Sequence, residues 1–413
     1  MKKFLFMFAA VATLFTACNN EADDNNAKHD HSADIVGTWT CLTENYAEAL
    51  IINADGTAVS YGVEDGEYWE NVRGTVTTNG NDITMTFEDD DNLTGHFDII
   101  PGMAFSLFED SGERYVYQYC KEDLSEEIIG MWVCYDGPTN TEKDMLVQTY
   151  QNDGYTIKTG WSDAVNDFIT NNKTTYKVVG DLIFYARPTE LIPEEMDKYV
   201  ACRIDYIPNG LSYGDKKTVT GYIPVGDYQV KETGSWLRVR QSLDLANNSY
   251  DYSNIYVTNV KAKDAEFEFA GQTLNLATMD GRILDKMMKN LLFNVSFPSA
   301  TEIVYNYHYN GENIPMPSPI VVGGNKMTIK KSANNPAYKD IDVWTFQDQD
   351  NTQMHMYMHS TGFVNFFGNM QVTVMEQMDL IDTTDAAAVK AVFDSIDEAV
   401  ETINLSLVMT KAN

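Results

Sequence analysis

The chain has 413 residues, which is long for a single hydrophobic core and predicts two or three domains. It carries 29 Lys and Arg against 61 Asp and Glu, for a formal net charge of -32. A field of that sign repels phosphate backbones, so we exclude nucleic acid as a partner. Because 44% of the residues are hydrophobic, the composition is that of a folded protein and not of a disordered polyanion.

The N-terminus has the pattern of an export signal. Two lysines after Met1 precede an apolar run from Phe4 to Phe15, which is shorter than the ~20 residues needed to span a bilayer. We therefore expect residues 1–17 to be removed as a signal peptide. The run ends in Leu14-Phe-Thr-Ala-Cys18, which resembles a bacterial lipobox apart from Phe15. The resemblance implies lipidation of Cys18 and a membrane anchor; plain secretion is the alternative.

Residues 18–34 are polar and acidic, which predicts a flexible tether. Acidic residues directly after the lipidated cysteine resemble the signal with which Bacteroidetes send lipoproteins to the outer face of the outer membrane. The resemblance implies a cell-envelope location, with surface exposure. His29 and His31 lie in this tether, where no second shell would orient them, so we predict no metal there and no cofactor.

A repeated motif organises the rest of the chain. Ile35-Val-Gly-Thr-Trp-Thr-Cys41 returns as Ile128-Ile-Gly-Met-Trp-Val-Cys134. Hairpin signals follow each copy in the same order, at Gly56 and Gly80 in the first and at Gly154 and Gly180 in the second. Similar spacing indicates duplicated modules of short alternating strands.

The last part of the chain is larger and less similar. Gly234-Ser-Trp236 is a possible third copy of the motif, and a further hairpin signal lies at Gly324. Apolar residues at helical spacing predict helices over 282–293 and 384–402, the second capped by Thr383 or Thr384. Alternation from Ile403 onward predicts a closing strand.

A Gly-x-Trp that leads into an early strand, followed by short strands and tight turns, resembles the opening of a lipocalin-type barrel. The resemblance implies an all-β fold of tandem lipocalin-like antiparallel β-barrels, the C-terminal one larger with two added helices. It also implies that Trp39, Trp132 and Trp236 plug the closed barrel ends. The chain is thus similar to calycin-like outer-membrane lipoproteins of Bacteroidetes. The predicted domains are barrels at residues 35–124, 125–231 and 232–413.

Four cysteines remain after Cys18, an even number in an exported chain. Each module has one near its beginning and one near its end, and the first and last strands of a closed barrel are neighbours. Bridges from Cys41 to Cys120 and from Cys134 to Cys202 are therefore expected. The alternative is that all four are buried, reduced thiols.

Residues 353–359 carry the most tempting metal pair, His355 and His359. On a helix they would share a face, but the alternation predicts a strand, which places them ~13 Å apart, too far for one metal. Met354, Met356 and Met358 would then line the opposite face. With Phe363 and Phe366 they are the predicted lining of an apolar ligand pocket. The acidic run Glu88 to Asp91 lacks the ligand spacing of a calcium loop and predicts a solvated turn.

No motif for nucleophilic, phosphate-binding or zinc catalysis is present, so we predict that the protein is not an enzyme. The first hypothesis is non-catalytic binding of a small apolar molecule or a glycan, with exposed aromatics such as Trp69 as sugar contacts. The second is a protein-interaction module of an outer-membrane complex with solid barrel cores. The third is a hydrolase using paired carboxylates. A cavity favours the first hypothesis and filled barrels favour the second.

Overall fold

A computed structural model describes most of the chain. The described residues are 31–43, 46–88, 92–134, 146–162, 167–170, 173–186, 199–207, 216–225, 228–262, 266–269, 272–275, 281–309, 311–331 and 337–412. Residues 1–17, which are predicted to be a signal peptide, lie outside them, as do Cys18, His29 and the acidic residues 89–91. None of the helices in these ranges has the length and apolar character that crossing a membrane requires.

The N-terminal module is a closed antiparallel barrel of eight strands. They are β1 (Gly37–Leu42), β2 (Tyr46–Ile52), β3 (Thr57–Glu64), β4 (Glu67–Asn79), β5 (Asp82–Phe87), β6 (Asn92–Ile100), β7 (Ala104–Glu109) and β8 (Arg114–Cys120). Each strand pairs with the next, and β1 closes the barrel on β8 through Thr38 opposite Cys120. Apolar residues alternate inward, as Ile83 and Met85 do on β5, because successive side chains point to opposite faces. The predicted turns at Gly56 and Gly80 join β2 to β3 and β4 to β5.

Nine further strands form one sheet. They are β9 (Gly130–Cys134), β10 (Leu146–Tyr150), β11 (Tyr155–Ser162), β12 (Asp167–Thr170), β13 (Thr174–Val179), β14 (Leu182–Ala186), β15 (Tyr199–Ile207), β16 (Lys216–Val225) and β17 (Tyr228–Val239). Their order is β10-β9-β17-β16-β15-β14-β13-β11-β12, with an additional pairing of β10 with β11. Gly154 and Gly180 occupy the predicted hairpin turns, each with a positive φ that favours glycine.

The C-terminal module is a second closed barrel of eight strands. They are β18 (Asn248–Ala262), β21 (Leu292–Ser299), β22 (Glu302–Tyr309), β23 (Glu312–Gly323), β24 (Lys326–Ile329), β25 (Ile341–Gln347), β26 (Gln353–His359) and β27 (Val400–Lys411). A separate two-stranded sheet pairs β19 (Glu266–Phe269) with β20 (Gln272–Asn275). The predicted all-β fold of tandem lipocalin-like barrels is therefore confirmed.

The described residues contain three helices, where two were predicted: α1 (Gly281–Leu291), α2 (Ser360–Gln377) and α3 (Ala386–Ala399). Sequence reasoning missed α2, which is buried on nearly all sides and so shows no apolar stripe. The cap of α3 is also corrected: the side chain of Asp385 accepts hydrogen bonds from the backbone N–H groups of Ala387 and Ala388. An Asp at this position satisfies the open amides of the first turn, a role predicted for Thr383 or Thr384.

The chain divides into two compact units. In the first, comprising residues 1–127, 174–204 and 221–230, strands β13–β15 pack on the outer face of β2 and β3. In the second, residues of β9, β10 and β17 pack on Phe346 and Tyr357 of the C-terminal barrel. The domain boundaries inferred from the repeated motif, at residues 35–124, 125–231 and 232–413, remain a prediction.

Candidate functional site

The two copies of the repeated motif have the same local structure. The indole N–H of Trp39 donates to the carbonyl oxygen of Ile35 at 2.7 Å, and that of Trp132 donates to Ile128 at 2.7 Å. Both indoles are fully buried. The intervening glycines also share a conformation, with φ of 141° at Gly37 and 135° at Gly130. The duplicated sequence thus specifies one duplicated structural element.

Trp236 does not open a third barrel. It lies on β17, where Val239 pairs with Met131 of β9, and the first strand of the C-terminal barrel begins only at Asn248. The sequence carried a signal for this difference. Position 232, four residues before Trp236, is Glu, whereas Ile35 and Ile128 stand at that distance from their tryptophans.

The predicted disulfides are absent from the structure, and the geometry explains why at the first pair. Cys41 lies in the interior core of the N-terminal barrel. Cys120 pairs with Thr38, three positions away, so its side chain points to the opposite face. Its Sγ lies against Gly180 on the outside of that barrel. Burial and then the nearby Glu48 raise the pKa of Cys41 to about 12, while burial and then Asp181 raise the pKa of Cys120 to about 11.

The structure brings together the five residues predicted to line an apolar pocket. Met354, Met356, Met358, Phe363 and Phe366 are all at most 1% exposed and belong to one core, which α2 covers. They pack there among Leu, Ile and Val side chains of the barrel strands. In the structure these five residues are core packing, and their role as a ligand pocket stays a prediction.

Residues 353–359 form a strand, as predicted. His355 and His359 are therefore four positions apart along extended chain, a distance of about 13 Å. No group of three or more His, Cys, Asp or Glu side chains within the described ranges is arranged to hold a metal ion.

The interior of the N-terminal barrel contains a cavity of about 650 Å³. Along β2, the inward residues change from Ile52 and Leu50 in the apolar core to Glu48 and Tyr46 at the cavity. The hairpins β1–β2, β3–β4, β5–β6 and β7–β8 lie at one end of the barrel, and Trp39, near the start of β1, lies towards the other. The cavity is therefore in the half that opens between these hairpins. Its lining residues are Tyr46, Glu48, Ser60, Glu64, Asp65, Glu67, Trp69, Val72, Met85, Phe87, Asn92, Leu93, Glu109, Glu113, Tyr115 and Tyr117.

Glu48 is the buried charged side chain at the base of this cavity, only 6% exposed. Its Oε1 accepts a hydrogen bond from Ser60 Oγ at 2.6 Å. Its Oε2 accepts one from the Tyr46 hydroxyl at 2.6 Å and another from the Tyr117 hydroxyl. Burial, followed by the charge of Glu48, raises the pKa of both tyrosines well above the usual value, so both remain donors across the physiological range.

Trp69 joins the same network from β4. Its indole N–H donates to Ser60 Oγ at 2.8 Å. The ring lies over Gly62, where an added Cβ would be 2.0 Å from the indole carbon Cζ2. The pairing of β3 with β4 shifts register between Ser60 and Gly62, a bulge that re-aims the side chains beside it. Glycine at position 62 is thus required for the position of Trp69.

Five further carboxylates lie at the mouth of the cavity, and we call them the acidic rim: Glu64, Asp65, Glu67, Glu109 and Glu113. Two hairpins supply them, β3–β4 and β7–β8. Asp65 and Gly66 both have positive φ, as the tight turn between paired Glu64 and Glu67 requires. The Tyr115 hydroxyl donates to Glu113 at 2.6 Å, which ties an aromatic wall residue to the rim.

A second cavity, of about 740 Å³, lies among β9, β10 and nearby residues of the second unit. It is more open to solvent. Its charged pair, Asp153 and Lys173, is about half exposed and separated by 3.5 Å. The cavity of the N-terminal barrel is the better candidate, because it alone of the two has a buried carboxylate held by several donors.

Sequence reasoning did not find Glu48 or its partners. One detectable signal was an acidic residue at an inward position of a strand whose other inward residues are apolar. The hydroxyl donors come from strands distant in sequence, and only the closed barrel brings Tyr117 to Glu48.

Neither a protein-family model nor a curated protein sequence matches the chain. Among solved structures it is similar to a double mutant of transferrin binding protein B from Haemophilus parasuis Hp5, with 10% identity and a TM-score of 0.24. That alignment covers 89% of this chain and 65% of the other. The protein of that name from serogroup B Neisseria meningitidis gives 9% identity, a TM-score of 0.20, and coverages of 89% and 66%. This chain therefore spans about two-thirds of their length, and scores this low carry no functional inference.

Proposed function

We propose that the protein is a lipid-anchored cell-envelope protein that binds a small ligand in its N-terminal barrel without chemically changing it. The observation that carries the proposal is the cavity of about 650 Å³, a volume in the range of sites for small organic molecules. Aromatic walls and a few fixed polar groups are the usual composition of such sites. The proposed anchor is Cys18, in the outer membrane of a Bacteroidetes-like bacterium and facing outward.

The arrangement at the base of the cavity favours binding over catalysis. Glu48 accepts hydrogen bonds from three hydroxyl groups, so its carboxylate serves as an acceptor in this network. A hydrolase with paired carboxylates needs one of them to act as a proton donor. We therefore keep the hydrolase hypothesis as the third.

The second candidate function is protein interaction by the C-terminal barrel. The filled core around Met354, Met356 and Met358 supports it, since a filled barrel leaves its outer surface for recognition. The two functions are compatible, because they use different barrels.

Native mass spectrometry of the mature chain, purified without detergent and with Cys18→Ala to remove the lipid, tests the first proposal. We expect a bound molecule of roughly a few hundred daltons that is released on denaturation. Val72→Trp fills the cavity and should lose the adduct, while Val321→Trp, at a position 59% exposed in the C-terminal barrel, should keep it. An adduct retained by Val72→Trp, or none on any form, contradicts ligand binding at this place.

A further inference from the structure

The charged residues described at the cavity of the N-terminal barrel all have one sign. Among the described lining residues six are carboxylic acids, namely Glu48 and the acidic rim, and none is Lys or Arg. Within the same cavity lie five aromatic rings. We propose that its ligand is an organic cation, an ammonium group on an apolar and preferably aromatic body. This inference rests on the proposed function and names its ligand class.

The hydrogen bonds of Glu48 leave room for one more donor. A carboxylate has about four acceptor positions. Ser60 occupies one on Oε1, while Tyr46 and Tyr117 occupy two on Oε2. The remaining position, on Oε1, suits an N–H of an ammonium ligand, and a charge-assisted bond of this kind is roughly twice as strong as a neutral one.

Within the described part of the chain, the groups that donate hydrogen bonds to Glu48 are the hydroxyls of Tyr46, Ser60 and Tyr117, and none of these is a cation. A charge buried in this way is stabilised further when an opposite charge enters the cavity. A ligand with a carboxylate or phosphate would instead meet repulsion from Glu48 and from the rim. The cavity therefore selects against fatty acids and other anionic apolar molecules.

The walls suit the apolar part of such a ligand and also its charge. Tyr46 lies 6.0 Å from Trp69 and 4.9 Å from Tyr115, measured between ring centroids. Faces of Trp and Tyr rings attract cations placed within about 6 Å, and more strongly when the cation is removed from water. Trp69 is held in place by its hydrogen bond to Ser60, so this wall is preorganised.

The acidic rim adds a longer-range effect. Carboxylates around the mouth of a low-dielectric cavity raise the local concentration of cations and speed their entry. A metal ion is a poorer fit than an organic cation, because the described residues provide no cluster of three ligating side chains and the walls are aromatic. Screening by salt should weaken the rim contribution, since the Debye length is ~10 Å at 0.1 M salt.

The test compares three probes of nearly the same shape by isothermal titration calorimetry: phenethylamine as cation, 2-phenylethanol as neutral molecule and 3-phenylpropanoate as anion. The protein is the mature chain with Cys18→Ala. We expect phenethylamine to bind about tenfold or more tightly than 2-phenylethanol, with 3-phenylpropanoate the weakest. Raising NaCl from 0.05 to 0.5 M should weaken only phenethylamine, by several-fold.

Glu48→Gln keeps the shape and removes the charge, so it should weaken phenethylamine by about tenfold and change 2-phenylethanol by less than about threefold. Asp98→Asn is the matched control, because it removes a carboxylate from the outward face of β6 in the same barrel. It should change the affinity for neither phenethylamine nor 2-phenylethanol. The salt titration does not depend on a Glu48 variant. If Glu48→Gln does not fold, the weakening of phenethylamine binding by salt still tests whether the cavity prefers a cation.

Equal binding of the three probes, or preference for the anion, overturns the cation assignment and leaves ligand binding by the barrel in place. Absence of binding by all three at 10 mM overturns both the assignment and the proposed function.

Discussion

The indole ring of Trp69 lies over the backbone of Gly62, with no room between them for a methyl group. Gly62→Ala should therefore displace the ring and break its hydrogen bond to Ser60. We expect a loss of about 1–3 kcal/mol of stability, as for other overpacked sites, and weaker binding of phenethylamine. Gly323→Ala is the control, because nothing lies within 4 Å of its added Cβ. Urea denaturation followed by fluorescence compares the stabilities of the two variants. An unchanged denaturation midpoint for Gly62→Ala would contradict the tight contact between Trp69 and Gly62.

The duplicated tryptophans should contribute similarly to stability. Trp39→Phe and Trp132→Phe each remove a buried indole hydrogen bond to an isoleucine carbonyl and leave a small void. We expect each to lose about 2–4 kcal/mol. Thermal unfolding by circular dichroism measures this. A large loss in one variant and none in the other would show that the two motifs are not structurally equivalent.

The raised thiol pKa values predict slow labelling of the native protein. With a pKa of about 12, only about 1 in 10⁴ Cys41 side chains is a thiolate at pH 8. Cys120, with a pKa of about 11, should react sooner, because its thiolate fraction is about tenfold larger.

Iodoacetamide labelling followed by mass spectrometry checks this in the Cys18→Ala chain. Labelling should accelerate as the pH rises from 8 to 10, and all four thiols should react once the protein is unfolded without reductant. If instead the mass of the chain were lower by two hydrogens and two cysteines did not react in urea, one of the predicted disulfides would be present in the protein.

The raised pKa values of Tyr46 and Tyr117 predict that the folded protein loses stability at alkaline pH. Their pKa values are raised in the folded state, so the folded protein holds protons that the unfolded chain releases above pH ~10. The stabilisation is complete below that pH and decreases as the pH rises. Tyr117→Phe should reduce this dependence. Denaturation midpoints between pH 8 and 11 provide the measurement, and a midpoint that rises with pH would contradict the sign.

Lipidation is tested at Cys18. Expressed as the full chain in a Gram-negative host, the protein should incorporate labelled palmitate and sediment with membranes. Cys18→Ser should abolish both, because a protein without the acyl chains has lost its hydrophobic anchor. Membrane association retained by Cys18→Ser would contradict the anchor.

The fold was predictable because it depends on local patterns. Alternating residues specify strands, and glycines with positive φ at 56, 80, 154 and 180 specify the turns. The helix α2 was not predictable, because apolar residues on all its faces conceal the period. The disulfides were inferred only from the expectation that the first and last strands of a barrel are neighbours. In the structure the side chains of Cys41 and Cys120 point to opposite faces of the sheet, which keeps the two thiols apart. The site around Glu48 depends on contacts between β2, β3, β4 and β8, which no short motif records.

We infer that a ligand enters the open half of the N-terminal barrel. Indole ¹⁵N–¹H NMR measures this directly, with the Trp69 signal assigned by its loss in Trp69→Phe and that of Trp39 by its loss in Trp39→Phe. Phenethylamine should shift the Trp69 signal in a saturable way and leave the signal of Trp39, which donates to Ile35, unchanged. No shift at Trp69, or equal shifts at both tryptophans, would contradict the account.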